Sequence, residues 1–269
     1  MNKGKTEASS GDKHTRHIAL DGGVNVRDLG GYRSRDGRQV KWRTILRSGH
    51  LNHLSDDDRE SFTKLDLRTI HDFRRSPEIE KFPSIVGDIN IVSGYELGVG
   101  SMGMFMQTLE AEGFTPAEAH TFVVKAYRDC VLDVTGAFRA FFQHLLAQKS
   151  GALLFHCMAG KDRTGLAAAL ILHALDVPSD VIMEDYMLTS HYLPVDAVIE
   201  NFVRSRDDLA AIIANNRAAL VPYCGVHPDN LIAFFQGIDL KFGSIDAYLS
   251  RGLALTKTDI ADLKERYLS

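Results

Sequence analysis

The pattern of hydrophobic and polar positions is typical of strands in the first third of the chain and of helices in most of the rest. Short apolar runs between polar turns predict strands in the first third, and a compact apolar run predicts another near position 150. These strands are expected at 44–48, 64–68, 90–92 and 152–155, with a hairpin of two short strands around Asp36-Gly37. From about Met102 onward, apolar residues recur every three or four positions, which indicates helices.

Polar residues mark where several helices begin. Ser55 with Asp58, and Thr256 with Asp259, have the spacing of a capping box, and the run Thr115-Pro116-Ala117-Glu118 combines a cap with a proline in the first turn. The segment 166–175 is apolar nearly all round, which is typical of a helix at the buried centre of a domain. This helix, the strand and loop before it, and the flanking elements predict an α/β domain with a small sheet.

Composition narrows the classes of protein to consider. With 45% hydrophobic and 25% charged residues, the chain of 269 residues is expected to be globular. A net charge of −4 argues against a dedicated nucleic-acid binder. The three cysteines are an odd number and lie far apart, which argues against a disulfide framework and against a cysteine-rich zinc site. A reducing compartment, and hence the cytoplasm, is the expected location.

Neither membrane insertion nor a secretory signal is expected from the sequence. The longest apolar run, 166–175, is far shorter than the roughly 20 residues that a bilayer span needs. Residues 1–17 are polar and are expected to form a disordered tail, although unconventional secretion would leave no recognisable signal. Residues 18–269 contain no repeat or long linker, so we expect one domain there, of undefined oligomeric state.

The strongest chemical signal is a segment between a predicted strand and a predicted helix, His156-Cys157-Met158-Ala159-Gly160-Lys161-Asp162-Arg163-Thr164-Gly165. A loop at the amino terminus of a helix turns its backbone N–H groups inward and so binds an anion with several oxygens. Gly160 permits close backbone approach, and the guanidinium of Arg163 matches two phosphate oxygens. The same positive field favours a thiolate at Cys157, which is then a nucleophile below a bound phosphoryl group.

This segment resembles the signature loop of the cysteine-dependent phosphatases, the protein tyrosine phosphatase superfamily, and its details resemble a bacterial branch of tyrosine/serine phosphatases. The similarity includes the segments 25–32, 46–49 and 66–69 and the tail from Phe242. The resemblance implies a phosphatase-like α/β fold, in which a small, mostly parallel sheet is flanked by helices and added helices lie over or near the active site. It also implies hydrolysis of phosphotyrosine, with phosphoserine and phosphothreonine as further substrates.

The resemblance implies a role for each residue of the loop. Cys157 attacks phosphorus to form a cysteinyl-phosphate, Thr164 hydrogen-bonds the sulfur, and His156 fixes the geometry of the loop. The catalytic Arg163 holds the transferred group, and the phosphate-binding residues are Met158, Ala159, Gly160, Lys161, Asp162 and Arg163. No metal or other cofactor is expected to be needed, because the backbone and Arg163 supply the charge stabilisation.

Several assignments stay open. Asp162 is our choice for the catalytic general acid, with a carboxylate that braces the loop as the alternative reading. Lys161 is expected either to bind additional substrate charge or to lie at the rim. Asp66 and Arg68 are expected at the end of a parallel strand near the site, where they would brace it.

Function also has alternatives. The substrate is expected to be a phosphorylated protein or peptide, with an inositol lipid as the alternative, and a phosphate-binding pseudophosphatase without turnover is disfavoured because Cys157 and Arg163 are both present. The glycines and methionines around 94–113 lead us to predict a helical lid over about 95–130. The alternative is that these helices simply pack as part of the core.

Overall fold

A mixed sheet forms the centre of the protein in the computed structural model, which describes residues 14–99, 102–111, 114–205 and 214–269. The strands of this sheet, in their spatial order, are β1 (Arg27–Asp28), β2 (Ile45–Ser48), β5 (Ala152–His156), β3 (Leu67–Asp72) and β4 (Asn90–Val92). Only β1 pairs antiparallel within this sheet, and the other pairs are parallel. The predicted small, mostly parallel sheet is therefore confirmed.

Helices surround the sheet and account for most of the remaining chain. Their bounds are α1 (Asp56–Lys64), α2 (Ser76–Lys81), α3 (Met102–Ala111), α4 (Pro116–Asp129), α5 (Val131–Ala147), α6 (Asp162–Ala174), α7 (Ser179–Met187), α8 (Thr189–Tyr192), α9 (Val195–Ser205), α10 (Arg217–Cys224), α11 (Pro228–Phe242), α12 (Ile245–Ala247), a π-helical turn at Tyr248–Gly252, and α13 (Lys257–Tyr267). No helix in the described part of the chain is both long and apolar enough to span a bilayer.

The described residues form three apolar clusters in the interior. Side chains along β5 point alternately to the two faces of the sheet, and a different cluster lies on each face. Leu153 and Phe155 belong to the main cluster around α5 and α6, whereas Leu154 belongs to a smaller cluster on the other face. The third cluster, which we call the second-core cluster, joins α3, α4, α9 and α10. Its buried members are Phe105, Met106, Leu109, Ala119, Ile199, Ala219, Leu220 and Cys224.

The register of the parallel strands brings their carboxyl ends to one edge. His156 at the end of β5 is level with Ser48 of β2 and with Asp72 of β3. The chain then leaves β5 through a short loop and enters α6, so this loop lies where α/β proteins usually bind ligands.

Most sequence-based predictions of elements are confirmed. Strands occupy 45–48, 90–92 and 152–156, and Ser55, Thr115 and Thr256 each close a capping box at the start of α1, α4 and α13. The strand predicted at 64–68 is wrong, because α1 continues to Lys64 and Asp66 takes a left-handed backbone with φ of 52°. The strand begins at Leu67 instead.

Two further predictions need correction. The turn at Asp36-Gly37 exists, with φ of 89° at Gly37, but the expected hairpin strands reduce to one bridge between Arg33 and Gln39. The tail predicted as disordered over 1–17 is ordered from His14: Arg16 Nη1 donates to the Asp28 carbonyl at 2.8 Å, and His17 bridges to Arg27. Residues 1–13 of that tail lie outside the described residues.

Candidate active site

The segment 157–161 connects β5 to α6 and forms a tight loop. Gly160 takes a left-handed backbone with φ of 65°, which favours glycine. A Cβ at this position would also lie 2.5 Å from the carbonyl carbon and oxygen of Ser48. Any other residue at position 160 would therefore push the loop away from the end of β2.

The carbonyl groups of the loop are held from its outer side. His156 Nδ1 lies 3.1 Å from the Cys157 carbonyl, and the His50 N–H donates to the Met158 carbonyl at 2.8 Å. The Gly160 carbonyl accepts from Asn25 Nδ2 at 3.0 Å and from Arg47 Nη2 at 2.9 Å. Because the carbonyls are turned outward, the loop presents its backbone N–H groups on the inner side, where they can bind an anion.

Behind the loop, two arginines share one carboxylate. Arg47 Nη1 lies 2.6 Å from Asp185 Oδ2, and Arg27 Nε lies 3.9 Å from Asp185 Oδ1, which also accepts from the Tyr32 hydroxyl at 3.0 Å. Burial, reinforced by the charge of Arg47, lowers the pKa of Arg27 to about 9. Burial favours the neutral acid at Asp185, but the two arginines outweigh it and hold the pKa of Asp185 below its usual value. With two guanidinium groups and one carboxylate, this buried group carries net positive charge.

A second buried group supports His156. Arg74 donates to Asp72 from Nε and Nη2, and Asp72 Oδ2 lies 3.5 Å from His156 Nε2. Burial lowers the pKa of His156 to about 4 against the opposing charge of Asp72, so the imidazole is neutral at neutral pH. We call Asn25, Arg27, Arg47, Asp72, Arg74, His156 and Asp185 together the rear network.

Cys157 and Thr164 lie in the interior at the base of the loop. Cys157 is 2% exposed, and Thr164 in the first turn of α6 is fully buried. The predicted hydrogen bond from Thr164 to the sulfur is not formed, since Thr164 Oγ1 has no partner among the described residues.

Arg163 is held by a residue that the sequence analysis missed. Its Nη1 and Nη2 donate to Glu78 Oε2 and Oε1 of α2 at 2.7 and 2.8 Å. Burial would raise the pKa of Glu78, but the pairing with Arg163 outweighs it and lowers the pKa to about 2. For Arg163 the directions are reversed: burial would lower its pKa, but the hydrogen bonds to Glu78 and the electrostatic interaction with Cys157 outweigh burial and raise it. The pair is therefore ionised.

Asp162 lies between the loop and α4. Its Oδ1 accepts a hydrogen bond from the Tyr127 hydroxyl of α4, and the Tyr186 hydroxyl of α7 donates to Tyr127 at 3.1 Å. A cavity of about 20 Å³ borders Asp162 and is lined otherwise by Val99, Phe122, Val123, Ala126, Tyr127 and Tyr223. The Asp162 side chain is 31% exposed beside this cavity.

Lys161 does not lie at the rim. Its side chain is 7% exposed, and Nζ donates to the Tyr223 carbonyl of α10 at 2.6 Å and lies 3.6 Å from Asp162 Oδ1. The ammonium group therefore links the loop to α10. The alternative of extra charge for substrate binding stays a prediction.

Asp66 and Arg68 were predicted at the wrong end of the strand. They form an exposed ion pair beside Leu67, which pairs with Ala152 at the start of β5. Because β3 runs on to Asp72, the strand end near the loop carries Asp72 and Arg74. β3 does end beside the loop, but it lies later in the chain than the predicted strand.

Comparisons with known proteins identify the family of the chain. Residues 18–269 match the model of a family described as the tyrosine phosphatase family. The chain is 33% identical over 257 residues to a protein of Cupriavidus necator named as a tyrosine-protein phosphatase, covering 94% of this chain and 89% of the relative. It is 27% identical to the triple specificity protein phosphatase PtpB of Mycobacterium tuberculosis, covering 86% of this chain and 91% of that protein. A tyrosine-protein phosphatase of Nostoc commune is 30% identical but is matched over 49% of its length.

Proposed function

The chain belongs to the tyrosine phosphatase family, and we propose that it hydrolyses phosphate monoesters through a cysteinyl-phosphate on Cys157. The single observation that carries this proposal is the loop 157–161, whose carbonyls are turned outward around a buried cysteine. The enzyme is thus a hydrolase acting on phosphorylated substrates, and the residue roles below are our proposals.

In the first step, the Cys157 thiolate attacks phosphorus. The S–P bond forms as the bond from phosphorus to the leaving oxygen breaks, and charge on the three equatorial oxygens is stabilised by the inward N–H groups of Met158 to Arg163. The net positive charge of Arg27, Arg47 and Asp185 lies behind the same loop and adds to the stabilisation of negative charge on the phosphoryl group.

Arg163 binds the transferred group while Glu78 fixes its plane. Glu78 accepts one hydrogen bond from each terminal nitrogen of Arg163, and the Phe73 and Leu97 carbonyl oxygens lie 3.3 Å from Nη1. The Nε–Nη2 edge of the guanidinium is the edge available for two phosphoryl oxygens. Glu78 is thus a positioning residue for Arg163.

Asp162 is the group proposed to move the proton. Protonated Asp162 donates to the leaving oxygen, and its carboxylate then takes a proton from the water that attacks the cysteinyl-phosphate, releasing phosphate and restoring the thiolate. The Tyr127 hydroxyl supports this by orienting Oδ1, which leaves Oδ2 for the reacting oxygen. No step is routed through a metal, because the backbone and Arg163 supply the charge stabilisation.

Phosphotyrosine is the proposed main substrate, with phosphoserine and phosphothreonine next. The name of the M. tuberculosis relative, a triple specificity protein phosphatase, supports testing more than one substrate. An inositol phospholipid is the alternative substrate. A pseudophosphatase is disfavoured because Cys157, Arg163 and the loop that connects them are intact.

A lid over about 95–130 is also proposed. Its support is that α3 packs in the second-core cluster rather than the main cluster, while α4 contacts Asp162 through Tyr127. Val123 and Tyr127 of α4 also belong to the main cluster, so movement is proposed chiefly for α3. Residues 100–101 and 112–113 of this stretch lie outside the described residues.

A cytoplasmic location is our proposal on the basis of cysteine use. Cys130, Cys157 and Cys224 are all free and buried, which fits a reducing compartment. Fractionation of the producing cells, with antibody detection of the chain, tests this location.

The experiment for the proposed function compares two cysteine variants. Cys157→Ser should abolish hydrolysis of p-nitrophenyl phosphate, because serine is not ionised near neutral pH. The matched control Cys130→Ser replaces another buried free thiol and should keep activity close to wild type. EDTA should leave wild-type activity unchanged. Retained turnover in Cys157→Ser would refute the proposal.

A further inference from the structure

A cluster of metal-ligand side chains lies outside the active site, where α4 meets the start of α11. His120 belongs to the second turn of α4, and His227 and Asp229 lie at the start of α11. One ligand atom from each of the three lies within 4.8 Å of the others. Among the described residues, no other group of three histidine, cysteine or acidic side chains meets in this way.

The distances in the cluster suit a tetrahedral ion. His120 Nε2 is 3.0 Å from Asp229 Oδ2, and His227 Nδ1 is 3.3 Å from the same oxygen. Two ligands about 2.0–2.1 Å from a tetrahedral zinc ion are roughly 3.3 Å apart. The two distances from Asp229 Oδ2 to the histidine nitrogens are close to this value, so small side-chain rotations would place an ion between the three ligands.

The chemistry of the donors selects the class of ion. Two imidazole nitrogens and one carboxylate favour a transition-metal ion such as Zn²⁺ over Mg²⁺ or Ca²⁺, which prefer oxygen ligands. In the described part of the chain, the ion pairs of Asp229 are those with the two histidines, so no lysine or arginine neutralises this carboxylate. The side chains are between 31% and 52% exposed, which leaves a path for an ion to enter.

We infer that His120, His227 and Asp229 form a binding site for Zn²⁺ or a similar transition-metal ion, distinct from the phosphatase site. His227 Nδ1 also accepts a hydrogen bond from the Asp229 N–H at 3.2 Å, and the ion replaces this long bond. The fourth tetrahedral position is open to water.

The position of the site determines what an ion does there. Tyr127, which contacts Asp162, lies seven residues after His120 on α4, about 10 Å along the helix. His227 follows α10, whose Tyr223 carbonyl holds Lys161. An ion bound to both α4 and the start of α11 therefore fixes together the two elements that flank Asp162 and Lys161.

Direct binding to the Cys157→Ser chain tests the inference, because that chain lacks the thiolate that would otherwise bind Zn²⁺ in the active site. Calorimetric titration with Zn²⁺ should show one ion per chain, and Zn²⁺ should raise the thermal unfolding midpoint. Co²⁺ should give the visible absorption of a tetrahedral nitrogen–oxygen site.

Variants in the same Cys157→Ser background assign the site. His120→Gln and Asp229→Asn should each weaken Zn²⁺ binding by at least about tenfold, the lower limit reported for loss of outer-shell support alone. The control His191→Gln, which changes an exposed histidine on α8, should bind as tightly as the parent. Metal-free unfolding midpoints establish that each variant is folded. Failure of Zn²⁺ to bind the parent, or full binding in both cluster variants, would mean that the cluster is only an ion-pair network.

Discussion

The rear network and the second-core cluster flank the active-site loop with opposite kinds of interaction. Behind the loop, Arg27, Arg47 and Asp185 are buried charged groups that make directional bonds. On the side of α3, α4, α9 and α10, the contacts are apolar, as in the fully buried Phe105 and Ile199. Directional bonds define one geometry, whereas apolar contacts tolerate rearrangement.

This difference suggests a division of labour in the enzyme. The rear network keeps the phosphate-binding loop preorganised, so charge stabilisation is present before substrate arrives. Among the helices of the second-core cluster, α4 and α10 are bonded to Asp162 and Lys161, so the proposed movement that gives access to the buried Cys157 is assigned to α3. Asp162 lies at the boundary, since it directly follows the loop as the first residue of α6 and accepts a hydrogen bond from Tyr127 of α4.

The largest expected effect is on proton transfer at this boundary. Asp162→Asn should slow hydrolysis of alkyl phosphates by about 10²–10⁴-fold, because a poor leaving group needs a proton from a general acid. Hydrolysis of p-nitrophenyl phosphate should fall much less, since its leaving group departs without protonation. Steady-state rates on both substrates measure the ratio, and equal losses would assign Asp162 to bracing the loop.

Breaking the rear network should be the next largest effect. Asp185→Ala leaves Arg27 and Arg47 buried without their shared carboxylate, and it should cost about 3–5 kcal/mol in the free energy of unfolding and most of the activity. Urea unfolding measures the cost. Glu184→Ala, at the exposed neighbouring position on α7, is the control and should change little. If Asp185→Ala is as stable as the control, the network does not hold the loop.

The buried imidazole of the rear network should make stability depend on pH. The pKa of His156 is about 4 in the folded protein and 6.5 in its ordinary state. Between these values the unfolded chain binds a proton that the folded chain does not, so the free energy of unfolding should fall as pH decreases from 6.5 to about 4, by roughly 3 kcal/mol from this group.

Unfolding at several pH values tests this dependence. His50 and His71 also have pKa values lowered by burial and should add to the slope. His156→Asn should therefore flatten the pH dependence only in part. An unchanged slope in His156→Asn would show that His156 is not held neutral.

The smallest expected effect comes from making the same substitution, isoleucine to valine, once on each side of the loop, which compares the two regions directly. Ile45→Val in β2 and Ile199→Val in α9 both remove one methyl group from a fully buried side chain, and each should cost about 0.5–1.5 kcal/mol. Only Ile199→Val should speed proteolysis within 95–130, and vanadate in the active site should slow that cleavage. Equal cleavage in both variants would contradict the lid proposal.

The parts of the site that could be predicted from the sequence are those encoded locally. The loop lies within ten consecutive residues, and Gly160 and Arg163 have recognisable chemical reasons for their positions. Capping boxes span four residues and were found for the same reason.

The residues that were missed act over long sequence separations. Glu78 meets Arg163 across 85 positions, and Asp185 meets Arg47 across 138. Neither carboxylate differs in local sequence from an exposed acidic residue on a helix, so only the packing of α2 and α7 against the loop reveals it. The strand predicted over 64–68 placed Asp66 and Arg68 at the wrong end of β3, because the left-handed Asp66 that delays the strand has no reliable local signal.

Chemical trapping of the intermediate tests the central claim most directly. The wild-type enzyme is mixed with ³²P-labelled phosphotyrosine peptide, quenched in acid during turnover, and digested for peptide mapping. We predict label on the peptide that contains Cys157, in a bond that is cleaved by iodine as expected of a thiophosphate ester. Turnover without label on that peptide, or label on a different residue, would contradict a cysteinyl-phosphate on Cys157.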